Sequence, residues 1–600
     1  MKRSNYTKMF RIFIPFFLLI FCLPAMANEA EGDRTPAYEF LRSMGRGANL
    51  MASKIEGRHH SNHDFQLLAE NHFTHCRIGG KLNLHHGAGP DYNVDADRIA
   101  DLKEAADFCL ANGLIAVIDP LHLYNEHFSD DQLPVLEKIW EQVAIAFADY
   151  PVDRLAFEIM NEPHNGYNLK NIIHKSLAAI RKVPGNEERI VIASGQGFTT
   201  RMALIKAFQN DIFPTDDNYL IGTFHYYDPK SFTKQGTFGV TTQWGQSGVN
   251  DPAWAVVEDA FDEVVEANQQ WADRHQTQAL PVYLGEYGVD NQAPKADRKR
   301  WLCWIRMQAE KRGFSTALWN MYNLNSKGIG PWTREQRDDP STRYLQEEMV
   351  EVLMTRYEME EAETTGGIQS KQFTQNYSGE GYADFSTAMK GDNALLKSIY
   401  IPKSDTYTVT FRYRNASQEN ALVDLAVYDG NSNLVAEKKQ VAFLPSGQDD
   451  GWSKFVVELD FEVDPESILQ LTCSSGTDAL LIDYLCISLG EYYDFLYPSK
   501  LETSEIPTAI EEPTGLLDRG IRVYPTLFSE YTTIYANLKS NETVVFQVND
   551  LLGKSIQNGY LNESMGAVSI GHEYQDGCFL LNLRGKDWRN CVKLIKQSKM

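Results

Sequence analysis

Between residues 40 and 355 the chain repeats one unit, a short apolar run followed by a longer stretch of helical periodicity. The apolar runs are residues 47–50, 75–79, 114–119, 155–160, 190–193, 220–224, 282–285 and 317–320, which makes eight. Between them, residues 95–111 set Ile99, Leu102, Ala105, Ala106 and Cys109 on one helical face, and 132–147 and 256–271 are patterned alike. Eight strand–helix units are what a closed parallel (β/α)8 barrel needs, so a barrel is expected over residues 37–355. A doubly wound open sheet is the alternative. No Gly-rich phosphate loop follows the first run, which disfavours it.

The pattern changes after Tyr357. In 406–413, Tyr407, Val409, Phe411 and Tyr413 share one face, while Thr406, Thr408, Thr410 and Arg412 share the other. Runs 421–428, 452–459 and 479–487 follow, so an antiparallel β-sandwich is expected over 358–490. Pro498, Pro507 and Pro513 among Ser, Thr and Glu mark a linker over 491–520. Runs 533–538, 543–548, 578–583 and 591–595 predict a second small β-sandwich over 521–600. The expected fold class is thus α/β, a (β/α)8 TIM barrel followed by two all-β sandwich domains.

Lys2, Arg3, Lys8 and Arg11 surround the start of an apolar run over 12–23, followed by Ala25-Met26-Ala27. This is the form of a cleaved secretory signal over residues 1–27, and a secreted or cell-surface protein is expected. No later segment approaches the apolar length of a membrane span. Loss of the leader takes the formal net charge from −24 to −28. Such a surface repels nucleic acid and anionic lipid, while a neutral polysaccharide meets no such penalty. The remaining seven cysteines show no C-x-x-C spacing and indicate neither a zinc site nor a disulfide framework. Cys76, Cys109 and Cys303 read as buried thiols; Cys473 with Cys486 and Cys578 with Cys591 are candidates for local bridges.

Barrel enzymes carry their chemistry at the C-terminal ends of the strands. Those ends hold Arg77, Asp119-Pro120-Leu121-His122, Met160-Asn161-Glu162-Pro163, Phe224-His225-Tyr226-Tyr227-Asp228, Leu284-Gly285-Glu286-Tyr287-Gly288 and Leu318-Trp319-Asn320. Glu162 and Glu286 stand three units apart on the rim. Cleavage of a glycosidic bond needs such a pair, one to protonate the leaving oxygen and one to attack the anomeric carbon.

This set resembles glycoside hydrolase family 5. Asn161-Glu162-Pro163 is similar to the family's Asn-Glu-Pro motif, whose glutamate is the acid/base, and Glu286 matches its nucleophile. Arg77, His122, Asn161, His225, Tyr227 and Trp319 match its substrate-binding and supporting positions in order. Roles follow from chemistry. Arg77 and Tyr227 hydrogen-bond Glu286 and keep it ionised. Asn161 donates to the sugar 2-hydroxyl. His122 and His225 contact hydroxyls, and Trp319 offers a flat apolar face. The resemblance implies a retaining endo-β-1,4-glucanase that needs no catalytic cofactor, with a plant β-glucan as its partner. The run from Phe224 to Pro229, with Phe232-Thr233-Lys234-Gln235-Gly236, is more similar to the endoglucanases of the family than to its mannanases. An endo-β-1,4-mannanase or another β-glycanase is the alternative. A non-catalytic glycan-binding protein would be expected to lack one of the two glutamates.

Other residues have a functional and a packing reading side by side. Trp244 and Trp332 are either outer sugar platforms or packing. Trp140 and Trp271 lie in helical segments and read as core. His59, His60 and His63, and the pair His85-His86, read as loop polarity more than metal ligands. The second module resembles carbohydrate-binding sandwiches of families 6 and 35 through Glu361-Ala362-Glu363, Ser378 to Tyr382, Phe411 to Asn415 and Ile482-Asp483-Tyr484-Leu485. That resemblance implies a structural calcium held by Glu361, Glu363 and Asp483, with Tyr382 and Tyr400 as candidate sugar contacts. The last 80 residues resemble C-terminal sorting domains of type IX secretion through Val523-Tyr524-Pro525, Asp550 to Lys554, Gly577 to Leu581 and Lys593 to Gln597. That secretion machinery is the implied partner.

Overall fold

The computed structural model describes residues 36–490 and 521–596, apart from residues 52–59, 123–131, 165, 167, 236–242, 246–250, 323–326, 332, 373–376, 447–451, 464–466 and short segments of the last module. The proposed leader and linker lie outside the described residues, as do His59 and Trp332.

Eight strands close into a parallel barrel in sequence order, with β1 completing the ring on β8. They are β1 Arg46–Met51, β2 His75–Gly79, β3 Ile115–Asp119, β4 Leu155–Glu158, β5 Val191–Ser194, β6 Leu220–Tyr226, β7 Val282–Tyr287 and β8 Ser315–Leu318. Every residue of these strands is buried, because helices cover the outside and side chains fill the inside. The helix Pro252–His275 shows how the sequence sets an element's ends. Asp251 accepts a hydrogen bond from the backbone N–H of Ala253 (2.9 Å), Pro252 opens the first turn, and Gln276 ends the helix with φ 51°. Gly47 has no freedom to be larger, since a β-carbon there would lie 2.3 Å from the His75 ring. The helix Pro36–Met44 closes the bottom, packing Phe40, Leu41 and Met44 with Ile115, Val117, Ile192 and Ile221.

Residues 356–488 form two antiparallel sheets. One orders Glu363–Thr364, Asn393–Ile399, Ser467–Ser475, Ala421–Tyr428 and Leu434–Phe443. The other orders Gln369–Lys371, Tyr382–Asp384, Leu480–Ser488, Asp405–Asn415 and Ser453–Phe461, with Arg356–Glu358 also paired to Leu480–Ser488. The strands Asn393–Ile399, Leu434–Phe443 and Ser467–Ser475 add to those read from sequence. Leu434–Phe443 is an edge strand carrying Glu437, Lys438, Lys439 and Gln440, so its polar character hides it while also guarding the edge.

The sandwich is not hung on a tether. Its core is continuous with that of the barrel. At the joint Thr355 adopts φ 40°, donates its hydroxyl to the Ile487 carbonyl (2.6 Å) and accepts from Arg306 (2.9 Å). Lys403 lies 4.9 Å over the Trp304 ring of the barrel helix Lys295–Lys311. Residues 521–596 form a three-stranded and a five-stranded sheet around Ile534, Phe546, Val548, Leu561, Leu581 and Leu583.

Both candidate cysteine bridges are corrected. Cys473 and Cys486 are buried in opposite sheets and do not form a disulfide with each other. Cys578 pairs with Ile595 and Cys591 with Asn582, so the two are offset by four residues along the ladder. That is about 13 Å, too far for a disulfide. Among the described residues, no helix is long and apolar enough to cross a membrane.

Candidate active site

Arg77 organises the mouth of the barrel. It projects inward from β2 with its side chain fully buried. Nε donates to Glu158 Oε2 (2.6 Å), and Nη2 donates to Glu158 Oε1 (2.8 Å) and Asn161 Oδ1 (2.9 Å). Nη1 donates to Asn49 Oδ1 (2.9 Å) and Glu286 Oε1 (3.0 Å). Asp119 Oδ2 is 3.1 Å from Nη2. Burial opposes the charge, but Glu158, Asp119 and Glu286 outweigh it and hold the guanidinium more firmly protonated than usual.

Glu286 lies in β7, opposite His225 of β6. The register slips between Phe224 and His225, and the slip re-aims both side chains at the rim. Gly285 makes room: a β-carbon there would meet Thr223 Oγ1 at 2.9 Å and His225 Nε2 at 3.2 Å. Glu286 accepts from Arg77 through Oε1 and from the Tyr227 hydroxyl through Oε2 (2.8 Å). Both bonds fix the orientation of its carboxyl group. The Tyr227 hydroxyl is pushed well above its usual range by burial and by Glu286, so it remains a donor.

Glu162 follows β4 in the left-handed region, at φ 39°. A non-glycine residue rarely holds that conformation, and such strain collects at functional sites. Its Oε1 lies 3.0 Å from His225 Nδ1. Burial raises the Glu162 pKa against the opposing pull of Lys234, His122 and Arg77, which suits a group that must start protonated. Burial also depresses His225 to about 3, so its imidazole is neutral at neutral pH. One carboxylate oxygen of Glu162, a ring nitrogen of His225 and one carboxylate oxygen of Glu286 all lie within 4.8 Å of one another.

The remaining predicted residues surround this pair. His122 bonds Asp119 through Nδ1 and lies flat beside Trp319, with centroids 5.2 Å apart and planes 5° off parallel. Asn161 accepts from Arg77 and donates to the His122 carbonyl (3.3 Å); its other N–H has no partner among the described residues. Three residues without an assigned role at the sequence level complete the network: Asn49, Asp119 and Glu158. Glu158 carried one usable signal, as the charged residue inside the apolar run 155–160.

Other candidates resolve as packing. Trp244 is buried and meets Trp254 edge-on at 4.7 Å. Trp140 and Trp271 are core. His60 pairs with Glu104 (3.1 Å) and His63 reaches the Arg343 carbonyl (3.2 Å). His85 lies 4.0 Å from Asp95, and His86 is beside the Gly87 carbonyl. In the sandwich, Glu361, Glu363 and Asp483 are not gathered into one site. Glu361 and Glu363 are exposed, Glu363 pairs with Lys397 (2.7 Å), and Asp483 is buried against Arg412 and the Ser378 N–H. Tyr382 is buried, and Tyr400 lies under the Lys299 ammonium (4.8 Å).

Residues 42–325 match the sequence model of the family described as Cellulase (glycosyl hydrolase family 5). Endoglucanase H of Acetivibrio thermocellus is 31% identical over 297 residues, covering 47% of this chain and 30% of that protein. Endoglucanase B of Neocallimastix patriciarum is 26% identical over 286 residues, covering 44% of this chain and 56% of that protein. The chain thus spans between roughly a third and somewhat over half of these relatives. A solved structure titled endoglucanase aligns with 26% identity and a TM-score of 0.45, covering 53% of this chain and 99% of that one. The barrel is thus similar in sequence to the catalytic domains of glycosyl hydrolase family 5 cellulases.

Proposed function

We propose that the chain is an exported endo-β-1,4-glucanase that hydrolyses plant β-glucans with retention, using Glu286 as nucleophile and Glu162 as acid/base. The observation that carries this reading is the approach of the two carboxyl groups, with oxygens within 4.8 Å. Retaining enzymes hold the pair at about 5–5.5 Å, whereas inverting enzymes leave room for a water at about 6.5–9.5 Å.

The steps follow from the environments. Glu286, held by hydrogen bonds from Arg77 and Tyr227, attacks the anomeric carbon. Glu162 passes its proton to the departing glycosidic oxygen, which leaves with the bonding electron pair. A glycosyl ester on Glu286 results. Water then loses a proton to Glu162, attacks the same carbon from the face the leaving group vacated, and frees Glu286. Asn161 is placed to donate to the sugar 2-hydroxyl, and Trp319 to carry the ring's apolar face.

The glucan choice draws on the run from Phe224 to Gly236 and on relatives named endoglucanases. The secretory leader and the sorting-type end module support a place outside the cell, reached by type IX export. The test is reducing-sugar release from carboxymethylcellulose, barley β-glucan, xyloglucan and pure mannan, with the anomer formed first read by proton NMR. Release from the glucans as the β-anomer is expected. Release from mannan alone would overturn the substrate, and an α-anomer would overturn the mechanism.

A further inference from the structure

Lys234 stands at the site but has no part in the steps above. It follows the short helix Lys230–Thr233 after β6, and its ammonium lies 4.7 Å over the centre of the Tyr227 ring, whose hydroxyl holds Glu286. The side chain is half-buried. It has no carboxylate within ion-pair distance among the described residues. The neighbouring lysines differ. Lys327 is neutralised by Asp290 at 2.6 Å, and Lys230 is exposed to water. A partly desolvated ammonium without a counter-ion is costly to hold. The catalytic cycle creates one transient match for it, the carboxylate left on Glu162 after proton transfer.

We infer that Lys234 is a positioning residue that balances the Glu162 carboxylate formed when the glycosidic oxygen is protonated, and thereby sets the upper pH limit of the reaction. The inference rests on the glutamate roles proposed above. Burial lowers the Lys234 pKa, and among the nearby charges Glu162 does most to raise it; the inferred role uses the protonated ammonium. The groups facing Glu162 come from four elements: Arg77 on β2, His122 after β3, His225 on β6 with Lys234 and Lys230 beyond it, and Glu286 on β7. Burial is the largest influence on Glu162 and Lys234 the strongest of the opposing charges. His225 is neutral, and Arg77 is already shared among Glu158, Asp119 and Glu286.

Lys234→Met removes the cation and Lys234→Arg keeps it. Each is assayed on barley β-glucan and on 2,4-dinitrophenyl cellobioside, whose leaving group departs without a proton. For Lys234→Met the basic limb of kcat/KM on glucan moves up by roughly half a unit to one unit, because Glu162 without its cation gives up its proton less readily. Below that limb the glucan rate falls about tenfold, while the dinitrophenyl rate stays within about twofold. Lys234→Arg keeps the wild-type limb. An unmoved limb in Lys234→Met, or an equal loss on both substrates, overturns the inference. If Lys234→Met does not fold, Lys234→Gln carries the same two readouts. A wild-type enzyme inactive on both substrates refutes the glutamate roles, and Lys234 then has no carboxylate to balance.

Discussion

Two buried clusters join arginine to carboxylates in this molecule, and they are balanced differently. At the barrel mouth one guanidinium, Arg77, serves three carboxylates: Glu158, Asp119 and Glu286. In the sandwich, among the described residues, two guanidiniums each bond one carboxylate. Arg356 bonds Glu358 (2.7 Å), and Arg412 bonds Asp483. Both sandwich arginines also lie over aromatic rings, Arg356 at 3.4 Å from the centre of Tyr484 and Arg412 at 5.0 Å from that of Trp452. A matched set is a bracket that fixes strands in place. A set with surplus carboxylate leaves one of them dependent on a shared cation and aimed outward, which is the condition a nucleophile needs.

The sharpest test of that contrast is removal of the outward carboxylate. Glu286→Gln should lower glucan turnover by about 10⁴-fold or more while leaving the thermal midpoint near wild type. Turnover close to wild type would remove the functional half of the comparison. Next in size is the shared cation. Arg77→Met leaves three buried carboxylates without their shared cation and should cost about 3–5 kcal/mol in urea unfolding. Arg412→Met leaves one buried carboxylate, Asp483, without its cation and should cost about 1–3 kcal/mol. Equal costs would show that the two clusters do not differ in balance.

A smaller effect separates ring platforms from packing. Trp319→Ala should reduce kcat/KM about tenfold with little change in stability, since its half-buried ring lies flat beside His122. Loss of stability without loss of rate would place Trp319 with Trp244 in the core. The smallest effect is in pH dependence. Burial raises Asp483 from 3.8 to about 6 in the folded state, Arg412 notwithstanding. The folded state therefore binds more protons than the unfolded one between those values, so Asp483's contribution is complete below about pH 4 and lost as pH rises through 6. Asp119 has the opposite sign: burial raises it, but Arg77 and His122 outweigh burial and lower it, so its contribution is lost on acidification. Asp483→Asn should flatten the fall in thermal midpoint between pH 4 and 6 by a few degrees. An unchanged slope would remove Asp483 as its source.

Much of the barrel was legible because apolar runs and helical periodicity alternate without interruption. The strands extend or retract by a few residues from those runs, most clearly at β6, which reaches Tyr226 and so carries His225 within the sheet. The supporting ring of Asn49, Asp119 and Glu158 had no assigned role in the sequence reading. Parallel strands buried on both faces lack alternation, so nothing in the run 155–160 says which side chains point to the axis. The three acids of the calcium expectation are placed apart for a related reason. The resemblance to carbohydrate-binding sandwiches groups Asp483 with Glu361 and Glu363, while strand pairing brings Arg412 opposite Tyr484 and so sets the guanidinium beside Asp483. The two acids from the module's start stayed at the surface, Glu363 against Lys397.

By itself the sequence determined the period of the elements, the barrel that this period requires, and a pair of glutamates at the strand ends where barrel enzymes place their chemistry. Those are properties of order and spacing, which survive in one dimension. Only the tertiary structure decided which cation serves which carboxylate, that Trp244 is packing, that four offset residues keep Cys578 from Cys591, and that Lys234 stands over Tyr227 with no carboxylate in ion-pair distance among the described residues. Charge balance and burial are sums over neighbours far apart in the chain, and a neighbour exists only once the chain has closed.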